Sequence, residues 1–338
     1  MVNSLQAVRF FAAFAIVVYH AARQLRLSSE NELINRVYEI LSTKLELGVD
    51  VFFVISGYVI YSSYQSRNKS AGEFIIDRII RVAPMYWVTS IIFILMLHIN
   101  FNLYPISDIS FTGIIKSLLF IPSLNLEGKY LPVLSVGWSL NLEMMFYASF
   151  SLCILLFKRR IFISIISVVS LVYLLSPIIE GMYFYHNTLV FEFLAGCVIA
   201  SLGDERLSIL KRHKKYFTIL LLVAFLLALT ISSSNRLLIW GVPSFLLVLF
   251  CVTNDKSIRT RKAMMVLGAS SYSLYLLHRI VITSVAWAYG NEDNAMVLFL
   301  ISISLSVLLS VYMYKYIEMP VTNWLRGFSM TSLCVMKR

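Results

Sequence analysis

The chain has 338 residues, of which 59% are hydrophobic and only 14% charged, with a mean hydropathy of +0.79. Soluble domains carry about 25% charged residues, so this balance excludes an ordinary soluble globule, a disordered chain and a coiled coil. It indicates an all-α polytopic membrane protein, because the apolar stretches are continuous and do not alternate at period two as in a transmembrane β-barrel. Lys and Arg number 29 against 18 Asp and Glu, a net charge of +11. In a membrane chain that excess marks cytoplasmic loops, and no nucleic-acid partner is expected.

A helix needs roughly 20 apolar residues to cross the bilayer core. Ten stretches are read as spans, at 5–22, 47–64, 82–99, 135–157, 161–178, 188–203, 216–232, 236–253, 266–289 and 296–316. The first lacks a basic leader and runs on through Tyr19 and His20, so it reads as an uncleaved span and not a signal peptide. The apolar stretch 113–121 is too short to cross and reads as interfacial or re-entrant. Loops 65–81, 158–160, 204–215 and 254–263 and the tail after 314 hold 20 Lys and Arg. The loops on the other side hold seven. The positive-inside rule therefore places both termini in the cytoplasm. No internal repeat is visible, so a single membrane domain is expected over 1–325, followed by a short cytoplasmic tail, 326–338. Cys153, Cys197, Cys251 and Cys334 have no metal-ligand spacing, so neither a disulfide nor a bound metal is expected.

Ionisable residues inside spans are expensive and usually line a cavity. On the first span, Arg9 and His20 are eleven positions apart, which puts them on one helix face about 16 Å apart along the axis. An imidazole serves as a general base, whereas a guanidinium stays charged and holds an anion or a carbonyl oxygen. Asp50 opens the second span at the depth of His20. It either orients that ring or caps the helix, and both readings stand. Arg78 and Arg81 share a helix face just before the third span, where they fit phosphates or simply anchor the chain at the cytoplasmic surface. Pro84 then sits near the start of that span. Trp138 and Ser139 open the fourth span, and Glu143 lies about 12 Å inside it, where a carboxylate needs a partner. Glu192 lies in the sixth span, and His278 and Arg279 in the ninth. Glu318 and Pro320 read as the terminator of the tenth.

These residues resemble the integral-membrane acyltransferase family three, whose members O-acylate cell-surface polysaccharides. The resemblance rests on Arg9…His20 and on Gly48-Val49-Asp50-Val51-Phe52-Phe53 through Gly57. It continues through Arg78-Ile79-Ile80-Arg81, Trp138-Ser139-Leu140-Asn141-Leu142-Glu143 and Glu192-Phe193-Leu194-Ala195-Gly196. Ser271 to His278 and Tyr316-Ile317-Glu318-Met319-Pro320 close it. It runs from residue 5 to about 325, and the Val136-Gly137-Trp138-Ser139 variant is most similar to exopolysaccharide acetyltransferases.

The resemblance implies a donor, acetyl-CoA or another acyl-CoA, in the cytoplasm of a bacterium. The acceptor is a sugar hydroxyl on a glycan or lipid-linked saccharide at the cytoplasmic (inner) membrane. In that scheme His20 is the base, Asp50 its orienting group, and Arg9 a donor-positioning or oxyanion contact. Glu143 and Glu192 pair with intramembrane cations or bind the acceptor, Arg78 and Arg81 hold the CoA phosphates, and Trp138 belongs to an interfacial belt or stacks on the acceptor sugar. Direct transfer and an acyl-histidine relay both remain open, as does the oligomeric state. The competing class is a proton-coupled transporter or glycolipid flippase, which also needs intramembrane ionisable groups. The missing inverted repeat speaks against it.

Overall fold

A computed structural model describes residues 3–27, 44–67, 69–99, 110–125, 128–230, 235–255, 261–289 and 295–336, together with positions 32, 35, 36, 38 and 39. The described residues are almost entirely helical. The only extended pairing among them is an isolated bridge between Leu124 and Tyr130. The helices are α1 (Asn3–Leu27), α2 (Leu47–Arg67), α3 (Ala71–Ile99), α4 (Phe111–Leu118), α5 (Trp138–Phe157), α6 (Ile161–Leu175) and α7 (Val190–Ser201). They continue with α8 (Asp204–Arg212), α9 (Lys214–Thr230), α10 (Val242–Asn254), α11 (Lys262–Ala269), α12 (Ser271–Tyr289), α13 (Ala295–Met313) and α14 (Met319–Met336). Short π-helical turns precede α10, at Leu237–Gly241, and α14, at Tyr314–Glu318.

Five of the described helices are long and apolar enough to cross a membrane, or seven when the bent pairs α8–α9 and α11–α12 each count as one. Those pairs bend by 81° and 62°. The ten expected spans thus correspond to fewer full-length helices. At 1.5 Å per residue, the 15-residue α6 and the 12-residue α7 fall short of a bilayer core about 30 Å thick. The connections between the seventh and eighth and between the ninth and tenth expected spans lie mostly outside the described residues.

Three local differences have physical causes. Helix α3 starts at Ala71, well before the expected 82, because Ser70 and Glu73 form a reciprocal capping box. Glu73 N–H donates to Ser70 Oγ (3.3 Å), and Ser70 N–H donates to Glu73 Oε2 (3.0 Å). Arg78 and Arg81 therefore lie inside a helix, and Pro84 lies in its middle. The chain also does not stop at Pro320. The π-turn Tyr314–Glu318 closes with Met319 N–H on the Tyr314 carbonyl, and the helix continues past Pro320. Helix α14 then runs through the expected tail. Finally, the apolar stretch near 113 forms the short helix α4, whose Ser110 cap accepts from Gly113 N–H at 3.0 Å.

The chain divides into two compact units. One holds residues 1–19, 39–69 and 156–271, and the other 20–38, 70–155 and 272–338. In the first, α2 and α7 meet backbone to backbone. A Cβ on Gly57 would run into the Phe193 carbonyl, and one on Gly196 into the Val54 carbonyl. Phe53 packs edge-on against Phe193, with ring centroids 4.5 Å apart, and Cys197 Sγ reaches the Gly57 carbonyl at 3.6 Å. These contacts advance together along both helices, so α2 and α7 run parallel. In the second unit, Tyr86 of α3 shares a hydrogen bond with Ser117 of α4 at 2.8 Å, and Gly137 lets the chain pass over the Tyr86 ring.

Candidate active site

In the second unit α1 brings His20 against α12. The imidazoles of His20 and His278 lie 5.1 Å apart between centroids, with their planes tilted by 36°. His278 is fully buried. Its Nδ1 faces the Leu274 carbonyl oxygen, one helical turn back, at 3.3 Å. Its Nε2 is buried with no hydrogen-bond partner. The guanidinium charges of Arg23 and Arg279 act on His20 from α1 and α12. One turn further along the same helices, Gln24 and Ile282 line a crevice of about 20 Å³, closed by Ala21, Ala286, Ala295 and Phe299. That is room for about one water-sized group.

The Trp138 segment is tied to α12 in the same unit. Tyr275 donates to the Val136 carbonyl at 2.9 Å, and its hydroxyl shares a hydrogen bond with Ser139 Oγ at 2.8 Å. Trp138 itself opens α5 and is half-buried. Tyr147 donates to Glu143, one turn away on α5. Arg78 and Arg81 act on Tyr147, so the arginine pair and Glu143 belong to one polar cluster. The two arginines have different occupations. Arg81 is ion-paired to Glu318, which is 2% exposed and also accepts from Ser273 Oγ at 2.5 Å. Arg78 stacks over the Phe74 ring at 5.4 Å, and its Nε is buried without a hydrogen-bond partner. Of the pair, Arg78 has the donor to spare. Glu318, read from sequence as a helix terminator, is the buried anchor of Arg81.

The first unit holds Arg9 on α1, half-buried, and the carboxylates of Asp50 and Glu192. Asp50, fully buried in the first turn of α2, is gripped by Arg236 through two hydrogen bonds. Nε donates to Oδ1 at 3.1 Å and Nη2 to Oδ2 at 2.7 Å. Arg236 also bridges Glu46 Oε2 at 3.1 Å. Asp50 was expected to orient a histidine or cap a helix. It lies in the first turn of α2, and within its unit its carboxylate is matched at both oxygens by a guanidinium. The Glu192 carboxylate lies against that of Asp50 and over Gly241. Sequence reasoning missed Arg236. It is one of the seven cations on the cation-poor side, and its only signal in the sequence is its place beside an apolar run. Among the described residues no three His, Cys, Asp or Glu side chains form a metal-binding group.

A family model described as an acyltransferase domain matches residues 2–315. The chain belongs to this family, the acyltransferase family three. The acyltransferase is 30% identical to the exopolysaccharide production protein ExoZ of Rhizobium meliloti. That match covers 71% of this chain and 78% of ExoZ. It is 25% identical to the O-acetyltransferase OatA of Staphylococcus aureus, over 96% of this chain but 57% of OatA. The chain thus spans little more than half of OatA's length. A putative O-acetyltransferase of S. aureus strain COL is similar at 25% identity, over 94% of this chain and 57% of its own length. No solved structure matches the chain. With its apolar helices, the acyltransferase is a multi-pass membrane protein.

Proposed function

We propose that this protein is an O-acyltransferase of the bacterial cytoplasmic membrane. It moves an acetyl group from cytoplasmic acetyl-CoA to a hydroxyl of a cell-surface or exported polysaccharide, or of its lipid-linked precursor. The chain crosses the membrane ten times, counting its short and bent helices, with both termini in the cytoplasm. The observation that carries this reading is His20, held beside a fully buried second histidine in a chain of this family.

His20 takes the proton of the acceptor hydroxyl as its oxygen attacks the thioester carbonyl. The C–S bond breaks, the new C–O ester bond forms, and the proton passes to the departing CoA thiolate. Arg9 contacts the donor or the developing oxyanion from further along α1. Arg78, with its unused donor, holds the CoA phosphates, and Arg81 supports it from its pair with Glu318. Glu143 and Trp138 face the acceptor. Asp50 anchors Arg236, and the Glu192 carboxylate beside it accepts from acceptor hydroxyls. The small crevice beyond His20 suits the methyl of an acetyl group better than a longer chain. The names of ExoZ and OatA, which speak of exopolysaccharide production and O-acetyl transfer, agree with this choice of acceptor and group. Transport or lipid flipping gains no support from the family.

The test uses inside-out membrane vesicles that contain the envelope glycan fraction and are supplied with acetyl-labelled acetyl-CoA. The expected result is ester-linked label in the saccharide fraction that depends on the protein. Movement of unlabelled saccharide, with no label incorporated although acceptor is present, contradicts the proposal.

A further inference from the structure

We propose that His278 is a positioning residue for the His20 base, which deepens the reading above and rests on it. His278 Nε2 accepts the hydrogen bond that fixes the His20 tautomer and holds the ring when it becomes an imidazolium.

The argument starts from the protons. A carbonyl oxygen only accepts, so the contact from His278 Nδ1 to Leu274 places the ring hydrogen on Nδ1. In a neutral imidazole the other nitrogen is then an acceptor. That nitrogen, Nε2, is buried and lacks a hydrogen-bond partner, although a buried polar atom normally has one. The neighbouring ring is His20, and a centroid separation of 5.1 Å allows facing ring nitrogens to come within hydrogen-bond reach after side-chain rotation. A bond from a His20 N–H to this acceptor puts the lone pair on the other His20 nitrogen, which is the form a base needs. The carboxylate that the sequence suggested for this task, Asp50, has both oxygens on Arg236. The backbone of α12 fixes the acceptor, because the Leu274 contact lies within the helix. His278 thus offers a preset acceptor instead of a second titrating base.

The vesicle assay tests this with the full chain, the glycan fraction as acceptor and membrane abundance matched by blot. His278→Gln keeps a carbonyl acceptor near the place of Nε2, and kcat is expected to stay within about threefold of wild type. His278→Leu fills the volume with no acceptor, and the His278→Asn amide reaches only the place of Nδ1. Both are expected to lose about tenfold or more in kcat, while KM for acetyl-CoA stays within about twofold. A Leu variant with wild-type kcat overturns the proposal. So does equal loss in the Gln and Asn variants, which fold comparably even where Leu does not. His20→Ala is the control. If it abolishes transfer while His278→Leu does not, only the positioning role fails. If it leaves transfer intact, the base reading fails and takes this inference with it.

Discussion

Arg236 separates what a carboxylate suggests in a sequence from what it does in a fold. Asp50 belongs to a recognisable motif and is fully buried, so it must be paired. Its partner is 186 positions away and on the edge of an apolar run, and nothing local announces it. Replacing Arg236 with Met strands the Asp50 charge and is expected to destabilise the protein by about 3–5 kcal/mol. Arg236→Lys recovers only part of that, because a point charge cannot span both oxygens as a planar fork does. Thermal denaturation of the purified protein in detergent checks both, and a Met variant melting with the wild type contradicts the pairing. The same limit hid Glu318. Sequence showed a carboxylate near a proline, whereas its partner Arg81 is 237 positions away on α3. His20 and Glu143 were legible as candidates because ionisable side chains stand out against apolar spans, and Arg78 was legible through its spacing from Arg81. Their neighbours were not, because the pairing of helices is a long-range property.

At the scale of elements, the glycines of two motifs have a packing reason. Gly57 and Gly196 sit where α2 and α7 touch through their backbones, and each would push a Cβ into the other helix's carbonyl. That close approach brings Asp50 beside Glu192, the one at the start of α2 and the other near the start of α7. Gly57→Ala and Gly196→Ala each force the helices apart. Each is expected to cost about 1–3 kcal/mol or more, with lower membrane abundance and a lower melting temperature. By contrast, Gly72→Ala, where a Cβ meets nothing, leaves both unchanged. Equal behaviour of the three variants in blotting and thermal melts contradicts this account. Helix positions were legible in the apolar runs, but helix ends were not always so. The Ser70–Glu73 capping box is a visible start signal that the charges around it obscured. The 62° break between α11 and α12 falls in a run with no proline, beside Gly268, Ser270 and Ser271.

At the scale of the molecule, composition alone gave the class, a helical membrane protein, because so little charge leaves no other compact state. The number of crossings was harder to read, since apolar length does not tell a full span from a short or bent helix in a packed bundle. The parallel run of α2 and α7 agrees with their being the second and sixth spans, which point the same way in the proposed topology. The central claim is acyl transfer with His20 as its base. Mass spectrometry of surface glycan from cells expressing wild type, His20→Ala or no protein, at matched membrane abundance, tests it most directly. The account predicts an added acetyl mass in the wild type alone. An acetyl mass that persists in His20→Ala contradicts the catalytic assignment, and a wild-type glycan without any acyl mass, where acceptor is present, contradicts the function itself.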